Sequence, residues 1–233
     1  MGGAFFSSPL SPNNQGWEAQ VSYSPVAHLG VMASYFRNSY RDLLGARSNP
    51  FPGPSPSTLL FYGQTQFGEV GLGMYRHFGK NRDFLLSLYA AAGMGRTENQ
   101  YPLDESGQLA FHAAWSFQRY SLQPGLRGEY KRLRYGAALR LSMVSYGSGR
   151  IDARIPYEEL ERIELLEATS PLYLGETYWT IGYRFKPLTL SLHSTSVALG
   201  QRAVRDLGLA SHHASVMLSL DLHELRSKKK RKN

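Results

Sequence analysis

The sequence predicts an all-β chain: a closed, antiparallel up-and-down barrel of transmembrane strands, about ten in number, with eight as the alternative. Three observations predict it. Apolar residues recur at every second position through most of the chain, which is the strand period. Very short connections (25–27, 79–81, 131, 186–187) alternate with long ones (41–62, 99–108, 148–171, 199–210), the pattern of a barrel with tight turns on one side of a bilayer and long loops on the other. No stretch approaches the roughly 18 consecutive apolar residues that a spanning helix needs.

Strand 2–9 brings the count to ten, an even number that places both termini in the periplasm. Strands 16–24 and 28–40 follow across a short turn. In 63–78, Val70, Leu72, Met74 and Phe78 alternate with Glu69, Gly71, Gly73, Tyr75 and His77. In 82–98, Phe84, Leu86, Leu88, Ala90, Ala92 and Met94 alternate with Leu85, Ser87, Tyr89, Ala91, Gly93 and Gly95, so the two runs read as a hairpin. Segment 109–130 is expected to change phase near Phe117 to Tyr120. Phe111, Trp115 and Phe117 stand at odd positions there, and Tyr120, Leu122 and Leu126 at even ones, which predicts a bulge. Strands 132–147, 172–186, 187–198 and 211–223 complete the barrel, which spans 1–225. Residues 226–233 are a basic tail.

A soluble sandwich or lipocalin-like barrel would alternate in the same way with the apolar face inward. Two features point to the reverse. The polar series carries Glu18, Glu69, Arg134, Arg140, Glu176 and Arg184, mixed in sign as in a narrow interior whose side chains pair with one another. The apolar series ends in aromatics such as Trp17, Tyr23, Phe78, Phe84, Tyr135, Trp179, Tyr183 and Phe185, as interfacial girdles do. Gly16-Trp17 lacks the spacing of the lipocalin Gly-x-Trp start.

The chain has no cysteine, which excludes a disulfide scaffold and thiolate chemistry within it and gives no support to a lipid anchor. Its net charge of +8 is concentrated in the tail, where six of the last eight residues are Lys or Arg. The remainder holds 20 basic against 18 acidic residues, a balance that argues against nucleic acid as a partner.

The stretch Gly16-Trp-Glu-Ala-Gln-Val-Ser-Tyr-Ser-Pro-Val-Ala-His-Leu-Gly-Val-Met-Ala-Ser-Tyr35 resembles segments of a family of small outer-membrane barrel proteins from Bacteroidota. So do Arg119-Tyr-Ser-Leu-Gln-Pro-Gly and Ala138-Leu-Arg-Leu-Ser-Met-Val-Ser-Tyr146. The family is mostly of unassigned function, so the resemblance implies fold and an outer-membrane location in a Gram-negative envelope and transfers no catalytic residue. No charged segment and apolar run precede Gly2, so the start is read as mature or truncated, or Met1 is not the true start.

The expected partners are the lipid bilayer with its lipopolysaccharide and other outer-membrane proteins; no cofactor or metal is expected. Adjacent His212 and His213 would face opposite sides of a strand and cannot share an ion there. A serine, histidine and acid set drawn from Ser191 or Ser219, His112 or His193, and Asp221 leaves open a loop-end enzyme acting on lipid A or peptide. A small-solute channel is the second alternative. The favoured role is that of a structural or accessory subunit. It rests on loop 148–171, where Leu160, Ile163 and Leu166 recur at helical spacing after Pro156, and Tyr157, Glu158, Leu160, Glu161, Ile163 and Glu164 form a partner-facing stretch. On the polar series, Ser142→Ala is expected to be mild.

Overall fold

A computed structural model describes residues 2–9, 14–44, 59–80, 83–103, 109–147, 149–151, 164, 168, 170–185, 187–200 and 212–221. They form the strands β1 (Gly2–Pro9), β2 (Asn14–Tyr23), β3 (Leu29–Leu44), β4 (Leu59–Phe78), β5 (Phe84–Leu103), β6 (Leu109–Tyr130), β7 (Leu133–Tyr146), β8 (Arg150–Ile151), β9 (Leu172–Arg184), β10 (Leu188–Gly200) and β11 (His212–Asp221). Neighbours in the sheet run β5-β4-β3-β2-β1-β11-β10-β9-β7-β6-β8, with an additional pairing of β5 with β6. Each pairing is antiparallel. The chain is thus an all-β, up-and-down sheet. No helix among the described residues is long and apolar enough to cross a membrane, which says nothing of strands.

The sheet is curled, and contacts between strands that are not neighbours show which face is concave. Glu69 on β4 meets Arg140 on β7, Arg119 on β6 meets Glu176 on β9, and the Phe67 ring of β4 stacks on Phe117 of β6. Side chains can reach over an intervening strand only where the surface closes toward them. The burial profile follows from that curvature and is the reverse of a soluble domain's. Val70, Leu72 and Met74 on β4, Trp179 and Ile181 on β9, and Leu190 and Leu192 on β10 are exposed on the convex face, whereas Glu69, Thr97, Asn99, Ser142, Thr189 and Ser191 are buried.

Three tight turns use left-handed backbone: Gly79, at φ 92°, follows β4, and the other two place residues other than glycine there. His28, at φ 70°, closes the β2–β3 turn; its Nδ1 lies 3.1 Å from the Tyr75 carbonyl, and its own carbonyl accepts from the Tyr75 amide at 2.9 Å. Lys131, at φ 55°, is the first residue of the two-residue β6–β7 turn.

Two expectations are corrected. The β5–β6 register runs unbroken from Phe84↔Gly128 to Tyr101↔Phe111, so no bulge interrupts it at Phe117 to Tyr120. Phe117 stands instead with the odd-numbered polar residues of β6 on the concave face, because a ring there finds Phe67 to stack on. Beside β7 the ladder lapses at Gln123 and Pro124 and resumes at the same offset, Leu122↔Leu141 then Gly125↔Ala138, since proline has no amide hydrogen to donate. Second, the expected connections 41–62 and 99–108 are partly strand. Pairs such as Leu43↔Leu60, Leu44↔Leu59 and Leu103↔Leu109 prolong the ladders, and β8 adds a short pairing to β6 inside the expected loop 148–171. Of the expected helical stretch, Glu164 is exposed and has helical backbone, as does Ala168 just past it; Tyr157, Glu158, Leu160, Glu161 and Ile163 lie outside the described residues, as does the tail.

Candidate functional site

The concave face carries its polar side chains in tiers, because every second residue of each strand points there and register sets its height. Nearest the tight turns, Glu129 on β6 accepts from Arg134 Nε of β7 at 3.1 Å and pairs with Arg184 of β9, while Arg134 Nη1 donates to Thr189 Oγ1 of β10 at 3.1 Å. One carboxylate therefore ties two guanidiniums, and four strands are joined through their side chains.

Above it, Arg140 on β7 donates through Nε to Gln123 Oε1 at 2.7 Å, and its Nη2 is 3.4 Å from Glu69 Oε1. Its guanidinium lies over the Tyr178 ring, 5.1 Å from the centroid. Glu69 also accepts from Ser34 Oγ at 3.2 Å. Beside this set Arg119 pairs with Glu176 and donates from Nε and Nη2 to Ser142 Oγ at 3.1 and 2.9 Å. Both arginines are well sheltered, so their charges are compensated by hydrogen-bonded partners rather than by water, as burial requires.

Toward the long connections the face becomes apolar. Phe67 and Phe117 stack at 5.6 Å, Tyr146 lies against Phe117, and Val144, Leu172 and Leu174 pack beside them. Beyond this layer Thr65 and Thr97 hydroxyls share a hydrogen bond at 3.1 Å.

Of the six charges singled out in the sequence, Glu69 and Arg140 meet each other directly. Glu176 meets Arg119, whereas Arg134 and Arg184 meet Glu129. Glu18 lies half-buried on β2, opposite Phe36 in register. Sequence reasoning passed over Arg119 and Glu129, although both share the odd parity of Ser121 and Gln123; the expected phase change in this strand obscured that signal.

The histidines give no assembled triad among the described residues. His193 Nε2 lies 3.1 Å from Thr180 Oγ1 and 3.3 Å from Ser191 Oγ, two hydroxyls and no carboxylate. Ser219 donates to the Thr189 carbonyl, and Asp221 stands opposite Gly3. His112 has Glu98 at 3.9 Å near the far rim. His212 and His213 are consecutive strand residues opposite Ser196 and Thr195. No cluster of three metal-ligating side chains occurs among the described residues. Among the described residues the arrangement pairs charge with charge across the concave face.

No family model matches the chain, and no curated protein matches it. Among solved structures, CdiB from Acinetobacter baumannii is similar over 94% of this chain at 9% identity and a TM-score of 0.25, the match spanning 59% of CdiB's length. OmpT, an outer membrane protein of Vibrio cholerae folded in vitro, is similar over 94% of both chains at 6% identity and a TM-score of 0.27.

Proposed function

We propose that the ten long strands close into one barrel that spans the outer membrane of a Gram-negative bacterium, termini and tight turns in the periplasm and long connections outside. Its role is that of a structural or accessory subunit of an outer-membrane assembly, engaged through its lipid face and outer connections. The observation that carries the reading is the inverted burial: large apolar side chains cover the convex face of β2 to β7 and β9 to β11, while ion pairs occupy the concave one. A bilayer is the solvent that makes such a distribution stable, and a ring of pairings through β5–β6 leaves no strand edge in hydrocarbon. Three tiers of paired and stacked side chains across the concave face favour a filled barrel over a conducting one.

Refolding into phosphatidylcholine vesicles tests the reading. The wild-type chain should fold to a heat-modifiable form, and Leu190→Arg, on the convex face, should lose about 2–4 kcal/mol in a denaturant titration in lipid. Folding of the wild type in plain buffer with Leu190→Arg unaffected would show a soluble barrel instead.

A further inference from the structure

The geometry points to a binding site for a phosphate-bearing glycolipid on the convex face, at the rim toward the long connections. The inference rests on the membrane-barrel reading and deepens it by naming a ligand class and a place. Register aligns one row across five strands: Trp17 on β2 opposite Arg37 on β3, Arg37 opposite Gln66 on β4, Gln66 opposite Arg96 on β5, and Arg96 opposite Ser116 on β6. The row marks a boundary. On the side toward the tight turns the convex face is apolar, with Val31, Val70, Leu72, Met94 and Leu122 exposed; the row itself carries Arg37, Gln66, Arg96 and Ser116 beside Trp17, and Glu98 follows Arg96 beyond it.

Both arginines are exposed and held in place. Gln64, with its amide oxygen turned toward Arg37, accepts from Nε and Nη2 at 2.8 Å each, a neutral partner that leaves the guanidinium its full charge. Arg96 Nε bonds Glu98 Oε1 at 2.8 Å, and half of its side chain stays exposed. Two strand spacings separate the two backbones, about 10 Å, which two arginine side chains can close around one phosphate. Beside Arg37, Trp17 and Tyr35 are exposed with ring centroids 5.2 Å apart, an apolar platform for the C–H face of a sugar. Exposed arginines on the convex face at this rim are confined, among the described residues, to β3, β5 and β8; β7, β9, β10 and β11 carry none there. Acyl chains on the apolar band, a sugar on the aromatic pair and a phosphate on the arginines describe a phosphorylated glycolipid of the outer leaflet, not a free anion.

The test uses the full chain folded in phosphatidylcholine nanodiscs doped with monophosphoryl lipid A, its dephosphorylated counterpart or phosphatidylglycerol, with retained lipid counted by native mass spectrometry. The wild type should retain the phosphorylated glycolipid roughly tenfold better than either other lipid, the scale of one or two charge-assisted contacts. Arg37→Gln/Arg96→Gln should abolish the preference and Arg37→Lys/Arg96→Lys should keep most of it. Arg76→Gln, an exposed arginine near the opposite rim, should leave it intact. Equal retention of all three lipids by the wild type, equal retention of phosphatidylglycerol, or an undiminished preference in the Gln double variant would overturn the site. A wild-type chain that does not enter the nanodisc at all would instead overturn the membrane reading beneath it.

Discussion

At the scale of single residues, the concave face is held by a few shared partners, so the cost of a change depends on what it leaves behind. Ser142, 4% exposed, accepts two hydrogen bonds from Arg119, and its removal strands part of a sheltered guanidinium. Ser142→Ala should therefore destabilise by about 1.5–3 kcal/mol, the range for a hydrogen bond to a charged group, in contrast to the mild effect expected from its place in the sequence. Ser116→Ala, exposed on the other face, should change stability by less than about 0.5 kcal/mol, which the same denaturant titration in lipid would read. Equal effects of the two would mean that the Arg119 contacts contribute nothing. The alternation marks Ser142 as polar-side; what it cannot supply is the arginine from the neighbouring strand that leans on it.

At the scale of elements, turns and registers decide what alternation leaves free. Lys131 adopts φ 55° at the first position of a two-residue hairpin turn, a conformation that costs a side chain and suits glycine. Its ammonium lies 5.4 Å from the Tyr130 ring centroid, a modest surface attraction. Lys131→Gly should stabilise the barrel by up to about 1 kcal/mol and raise its rate of refolding into vesicles if this hairpin forms early. A loss of stability would show that the cation and ring contact outweighs the backbone gain. Strand lengths were the least legible part of the elements. β3, β4 and β5 run well past the expected bounds because leucine and aromatic pairs continue the ladders, whereas the sequence reading broke these three strands where polar residues and prolines accumulate; β6 keeps the expected bounds 109–130.

At the scale of the whole molecule, the tiers act together. Arg134 and Arg184 on Glu129, Arg140 on Glu69 and Gln123, Arg119 on Glu176 and Ser142, and the Phe67–Phe117 layer lie one above another along the strands. In the proposed barrel of about ten strands such side chains occupy most of the interior. Wild-type protein in planar bilayers should accordingly show no stable conductance steps. Glu69→Ala combined with Phe117→Ala, which thins two tiers, is the variant expected to leak. Large, reproducible steps from the wild type would favour the solute-channel alternative.

The sequence by itself determined the strand class, the face that residues take outside β6 and most of the tight turns, because a two-residue period maps parity directly onto face and short connections force antiparallel neighbours; in β6 the aromatic Phe117 on the polar parity misled it. Parity carries no information about height along a strand or distance across a curved sheet. Only the tertiary structure decided that Glu69 meets Arg140, that Glu129 gathers two arginines, and that Arg37 and Arg96 share one row with Trp17. Those meetings depend on register summed over several ladders and on curvature, which no single stretch of chain contains.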